Sequence, residues 1–90
     1  MDKNKHLPLE ERVAVQMEGA QVVTELLSAG LSHELIVVKM GEILAGINPC
    51  TASLRKWERG DARPSRSNGA ALAYVYREVF GKPFKCGEEE

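Results

Sequence analysis

Five cations crowd one short stretch of the chain: Arg55, Lys56, Arg59, Arg63 and Arg66, with Glu58 and Asp61 as the only acids among them. A guanidinium donates two parallel hydrogen bonds to a phosphate, a carboxylate or the O6/N7 edge of guanine, whereas an ammonium acts as a point charge. The stretch therefore has the chemistry to grip an anionic partner; the bland alternative is an ordinary solvated basic face. No other set of reactive residues stands out. Cys50 and Cys86 form no Cys-x-x-Cys pair, and His6 and His33 fall at no zinc-ligand spacing. No metal site and no cofactor are expected. Both thiols are expected to be free, Cys50 as a small core residue and Cys86 on a tail. No Ser/His/Asp or Cys/His arrangement is present, paired carboxylates are confined to Glu10-Glu11 and the final glutamates, and no glycine loop suits a phosphate. The expected reading is not an enzyme.

The net charge of −1 argues against a nucleic-acid partner until its distribution is followed. Residues 1–47 hold four basic and seven acidic side chains, a net −3, whereas residues 48–85 hold eight basic and three acidic ones, a net +5. Glu88-Glu89-Glu90 bring the total back to −1. One acidic half and one basic half is the electrostatic footprint of a protein that lays one face on phosphates. With 90 residues, 43% hydrophobic and 28% charged, the composition is that of a single small globular domain. No apolar run approaches the roughly 18 residues of a membrane span. Residues 1–8 carry no apolar signal-peptide core, so a cytoplasmic location and no membrane partner are expected.

These cations need helices to hold them. Leu9, Val13, Met17, Ala20, Val23 and Leu27 recur at spacings of three or four, which predicts a helix from Leu9 to Ala29 with that stripe inward. Gly19 marks a close contact or a break in it, and Gly30 suits a left-handed end. Ser32 is a good cap for a helix over residues 33–45, with Ile36, Met40, Ile43 and Leu44 at helical spacing. Leu-Ile-Val-Val at 35–38 also suits a short strand, but the period that follows favours helix.

Asn48 as cap, Pro49 in the first turn and Gly60 just past the end predict a helix over residues 49–59. Its apolar stripe is Cys50, Leu54 and Trp57. Thr51, Ala52, Arg55, Lys56 and Arg59 face away, so the helix docks with one side and displays the other. Pro64 makes residues 61–65 a turn. Ser65 or Ser67 then caps a last helix to Phe80 with Leu72, Val75, Tyr76 and Val79 inward, stopped by Gly81 and Pro83. Phe84 lies beyond it, which implies a tail that folds back or meets a partner. The expected fold is all-α, with four helices, or five if Gly19 splits the first.

Two consecutive helices joined by a turn with Gly46, the second short, basic and half buried, form the pattern of a helix-turn-helix. Gly41 is the expected small residue where the helices cross. Ser53-Leu54-Arg55-Lys56-Trp57-Glu58-Arg59-Gly60, followed by Arg63-Pro64-Ser65 and a Leu/Ala-rich helix, resembles the Cro/C1-type (XRE-like) helix-turn-helix proteins. Gly30-Leu31-Ser32 is similar to the Gly-Leu-Ser often found before that family's second helix. The resemblance covers roughly residues 30–80 and is strongest over 53–65. Residues 47–51 are longer than the family's connection. The expected organisation is a flexible N-terminus over 1–8, one domain over 9–85 with the motif at about 33–60, and an acidic tail over 86–90.

The resemblance implies a transcriptional repressor that binds double-stranded DNA as a homodimer on an inverted repeat, as small phage or plasmid autoregulators do. Arg55 and Lys56 are the leading candidates to read base edges, with Thr51 and Ala52 in the first exposed turn. Asn48, Ser53, Arg59, Arg63 and Arg66 are candidates for phosphate contacts, which set affinity without carrying sequence information. Trp57 is expected in the core, and Glu58 is expected to pair with Arg55 or Arg63. The dimer surface is expected around Tyr74, Val75, Phe80 and Phe84. The competing reading is an antitoxin or small adaptor that binds a partner protein, motivated by the acidic first helix and tail.

Overall fold

The computed structural model describes residues 8–47 and 49–84. Five helices follow in order: α1 Leu9–Met17, α2 Gly19–Ser28, α3 His33–Ile43, α4 Thr51–Arg59 and α5 Arg66–Phe80. No strand occurs among the described residues, so Leu35-Ile36-Val37-Val38 is helical. The Ser32 hydroxyl accepts from the Leu35 N–H at 3.1 Å, which starts α3 as the cap predicts. No single described helix is long and apolar enough to cross a membrane. The expected flexible N-terminus over 1–8, apart from Pro8, and the acidic tail over 86–90 lie outside the described residues.

The first expected helix is split at Glu18, whose backbone sits at φ −114°, ψ 38°, and Gly19 opens α2 against a crowded spot. A Cβ at Gly19 would stand 2.7 Å from Pro64 Cδ and 3.8 Å from Trp57 Cβ. The absent side chain lets the turn after α4 close onto the break between α1 and α2. Gln16 Nε2 donates to the Pro64 carbonyl at 3.3 Å and ties the same place from α1.

This break corrects the predicted inner stripe. Leu9, Val13 and Met17 are 64%, 43% and 52% exposed, while Val15, Val22, Val23 and Leu26 are fully buried. The kink resets the helical phase, so a stripe read as continuous across it follows the core in α2 and misses it in α1. Glu11 is drawn inward instead. Its side chain is only 4% exposed and receives Arg77 Nη2 at 2.7 Å and Arg77 Nε at 3.0 Å. A buried carboxylate is tolerable because a bidentate guanidinium satisfies it.

α5 is the central element, packed by α1, α2 and α3. Gln16 lies beside Gly69 and Glu11 beside Arg77, so α1 runs antiparallel to α5. Ser65 caps α5 by accepting from the Asn68 N–H at 3.2 Å, and Gly81 ends it at φ +73°. Leu72, Val75 and Tyr76 are buried as predicted, and Val79 is half-buried. The tail folds back. Phe84, 2% exposed, meets the Tyr76 ring edge-on at 5.3 Å. Tyr76 in turn donates its hydroxyl to Glu25 Oε1 of α2 at 2.8 Å. The predicted dimer surface therefore fails at two of its four residues, since Val75 and Phe84 are buried in their own chain. Gly41 is not the crossing point either, because nothing approaches within 4 Å of a Cβ placed there.

These glycines make opposite predictions. Gly19→Ala forces Pro64 to move and is expected to cost about 1–3 kcal/mol, as overpacking does. Gly41→Ala meets open space in a helix interior and is expected to gain about 0.5–1 kcal/mol. Urea midpoints of the two variants check this; equal effects would remove the close approach at Gly19 from the account. Burial, then the hydrogen bond to Glu25, pushes the Tyr76 phenol up to about 12 from its ordinary 10. The unfolded chain ionises there first, so this contribution is full below pH 10 and is lost as pH rises towards 12. Tyr76→Phe should flatten that alkaline decline in stability. An unchanged slope would show that Tyr76 does not supply it.

Candidate nucleic-acid interface

α4 begins two residues later than predicted. Its cap is Cys50, extended at φ −130°, ψ 164°, with no side-chain bond to a helix N–H. Asn48 capping would require Pro49 and Cys50 to be helical, and Cys50 is not; Asn48 itself lies outside the described residues. The same geometry corrects the placement of Cys50. It is exposed, because a residue before the first turn does not occupy the helical position that a stripe assigns to it. Its Sγ lies 3.4 Å from Ser53 Oγ. That hydroxyl, assisted by the Ser53 backbone, holds the thiol below its ordinary value.

Leu54 and Trp57 anchor α4, at 0% and 4% exposure. With about 100° between successive residues, Ala52, Arg55, Lys56 and Arg59 fall in one arc on the opposite side, and all four are exposed. Thr51 and Ser53 sit half-buried on the two flanks. Three of the four predicted base-reading residues, Ala52, Arg55 and Lys56, therefore share one outward face, and Thr51 borders it. Among the phosphate candidates, Arg59 lies on that face, and its Nε donates to Asp61 Oδ2 at 2.9 Å. Both partners are more than half exposed, so this pair contributes little and can be exchanged for another anion. Arg63 and Arg66 are exposed on the next turn and at the start of α5. Buried Pro64 pins that turn to the core between them. Among the described residues, no carboxylate lies within 4 Å of Arg55, Lys56, Arg63 or Arg66.

Lys56 and Arg59 also occupy the last turn of α4, where cations meet the negative end of the helix dipole. Gly60, at φ +81°, ends the helix by letting the Asp61 N–H return to the Lys56 carbonyl at 2.9 Å. α3 and α4 are joined by residues 44–50, longer than a tight three- or four-residue turn.

Glu58 pairs with neither Arg55 nor Arg63. Its Oε1 is 3.0 Å from His33 Nε2, at the start of α3. Glu58 follows Trp57 on the flank nearer the core, which aims it at the neighbouring helix and away from the arginines. That offset was the available signal for a residue the functional reading of the sequence missed.

Elsewhere the chemistry is sparse. A shallow groove between α3 and α5 is lined by Glu42, Ile43, Tyr74, Arg77 and Glu78. Two of its charges are already engaged, Arg77 by Glu11 and Glu78 by Lys39 at 3.5 Å. No group of three His, Cys, Asp or Glu side chains converges on a metal-sized site among the described residues. Compared with protein-family models, curated proteins and solved structures, the chain gives no match.

The exposed thiol gives a direct check on the start of α4. In a Cys86→Ser background, Cys50 should react with a thiol reagent in the native protein at neutral pH. Ser53→Ala should slow that reaction by restoring the thiol towards its ordinary value. A thiol that reacts only on unfolding would return Cys50 to the core.

Proposed function

We propose that this protein is a sequence-specific DNA-binding transcriptional regulator that presents α4 to the major groove. The observation that carries the reading is the two-sidedness of α4. Leu54 and Trp57 lock it to the core, while Ala52, Arg55, Lys56 and Arg59 point outward with Arg63 and Arg66 beyond them. A helix fits the major groove, and arginine there can donate a bidentate pair to guanine. The α3–α4 arrangement and the motif residues around Trp57 support a Cro/C1-like helix-turn-helix domain. The overall charge of −1 is no obstacle, because the acidic side chains of α1 lie on a different helix from the cations.

One short helix reads too few base pairs for a unique site, so binding as a homodimer to an inverted repeat, as a repressor or autoregulator, completes the reading. With Val75 and Phe84 internal, the exposed large apolar side chains for such a dimer are Leu9, Val13 and Met17 on α1 and Leu35 and Val38 on α3. The outward apolar stripe of α1 is equally the feature that favours the second reading, a small antitoxin or adaptor that buries it against a partner protein.

The deciding experiment is a gel shift with DNA flanking the protein's own gene, competed by scrambled duplex at about 150 mM salt, where non-specific binding is weak. A shift that resists the scrambled competitor supports the regulator, and capture of a partner protein with no DNA shift supports the second reading. Within the first, Arg55→Ala should cost about 1–3 kcal/mol on the cognate duplex and relax one base position. Equal loss on every sequence would make Arg55 a phosphate contact. Arg63→Ala should weaken binding uniformly and reduce the salt slope by about one unit. An unchanged slope would take it out of the interface.

A further inference from the structure

His33 sits in the first turn of α3, outside the outward arc of α4, and it is not one of the residues assigned to DNA. Its Nε2 lies 3.0 Å from Glu58 Oε1, with the two side chains 21% and 35% exposed. Among the described residues this is the one side-chain hydrogen bond between α4 and another helix. The remaining side-chain bonds of α4 are local, Cys50 with Ser53 and Arg59 with Asp61. The apolar anchors Leu54 and Trp57, three residues apart, lie within about 60° of each other around the helix axis. Two anchors within so narrow a sector hold α4 against translation more firmly than against a small roll about its axis. A polar tether on one flank removes the roll, and Glu58 is on a flank.

Roll matters on α4 because it decides which side chains meet base edges. A rotation of about one residue's step, about 100°, would replace the arc entirely, and a far smaller one moves a guanidinium out of bidentate register. Contacts from Arg63 and Arg66 lie beyond α4 and do not depend on its roll. From these observations we infer that His33 is a positioning residue for sequence readout: through Glu58 it fixes the roll of α4 and so aims Arg55 and Lys56. It acts on specificity, while the phosphate contacts of Arg63 and Arg66 beyond α4 are left alone. This rests on the DNA-binding reading of α4.

Two variants separate the hydrogen bond from mere packing. His33→Leu removes the donor, and His33→Gln replaces it with an amide nitrogen at a similar reach. Wild-type protein is first used to enrich a duplex from a randomised pool. Each protein is then titrated against that duplex and a scrambled one, with thermal melting to confirm that the variants fold. The amide spectrum of α4 is recorded for all three without DNA. The expected result is a specificity ratio about tenfold lower in His33→Leu, the scale of one lost base contact, with unchanged affinity for scrambled duplex. His33→Gln is expected to restore the ratio. The α4 amides should shift in His33→Leu and return in His33→Gln.

Three outcomes overturn the inference while leaving the DNA reading intact. The ratio is unchanged in His33→Leu; both duplexes weaken together; or His33→Gln is as impaired as His33→Leu. Unmoved α4 amides in His33→Leu overturn it without reference to DNA. If the wild-type protein enriches no duplex, the DNA reading itself falls, and this inference with it.

Discussion

Gly19, Pro64 and Trp57 meet at the contact on which the rest of this molecule depends. The proline ring comes within 2.7 Å of where a β-carbon of residue 19 would be, and the Trp57 β-carbon lies 3.8 Å from the same point. Three structural events coincide there: the break between α1 and α2, the end of α4, and the turn into α5. The Gln16 amide closes the arrangement from α1 by bonding the Pro64 carbonyl. Because Pro64 is buried, the turn carrying Arg63 and Ser65 has a fixed path over the core, and α4 and α5 inherit their relative placement from it. A small domain of this size has few such junctions, so one missing side chain has a large share in setting the architecture.

Polar contacts divide into two kinds. Inside, Arg77 with Glu11 and Tyr76 with Glu25 join α5 to α1 and α2 at defined heights along the helix. Each satisfies a group that would otherwise be costly to bury, and each specifies register more than it adds stability. Outside, the cations of α4 and the following turn are exposed, and Arg59 alone among them has a carboxylate partner in the described residues. The chain thus places these satisfied charges between helices, and it leaves the cations of α4 and the turn after it available. The His33–Glu58 pair lies between these kinds, half-buried and linking the displayed helix to its neighbour.

Much of this was legible in the residues, and the parts that were not have identifiable causes. Local signals worked well. Ser32 and Ser65 cap their helices, and Gly30, Gly60 and Gly81 take positive φ where helices stop. Each of these depends on a few neighbouring residues. The anchors of α4 were also legible, because leucine and tryptophan three apart in an otherwise polar helix leave one choice of inner face. The inner face of α1 was not. Leu9, Val13 and Met17 make the better apolar stripe, yet the buried side follows Glu11 and Val15. That choice is made by Arg77, distant in sequence, and by a kink that breaks the phase. Cys50 was misplaced because a cap position sits outside the helical period. Gly41 looked like a contact glycine and Gly69 did not, although a Cβ at Gly69 would meet Gln16 Cγ at 2.7 Å; helix crossings are tertiary facts. Of the candidate site, the shared face of Ala52, Arg55, Lys56 and Arg59 was readable, and the tether on Glu58 was not.

The central position of α5 has a consequence for how the chain is made. Synthesis runs from the N-terminus, and α5 emerges after the other four described helices. Until it does, Val15 of α1 and Ile36 and Met40 of α3 lack part of the surface that covers them, and the Glu11 carboxylate has no Arg77 to meet. α1 through α4 thus leave the ribosome without a complete core, too short to hold helical structure alone, and folding waits for residues 66–80. The same order means that a message truncated before α5 yields a chain with exposed apolar faces, the kind of species that cellular proteases and chaperones intercept. The displayed basic helix is therefore formed in full only in molecules whose synthesis has passed residue 80.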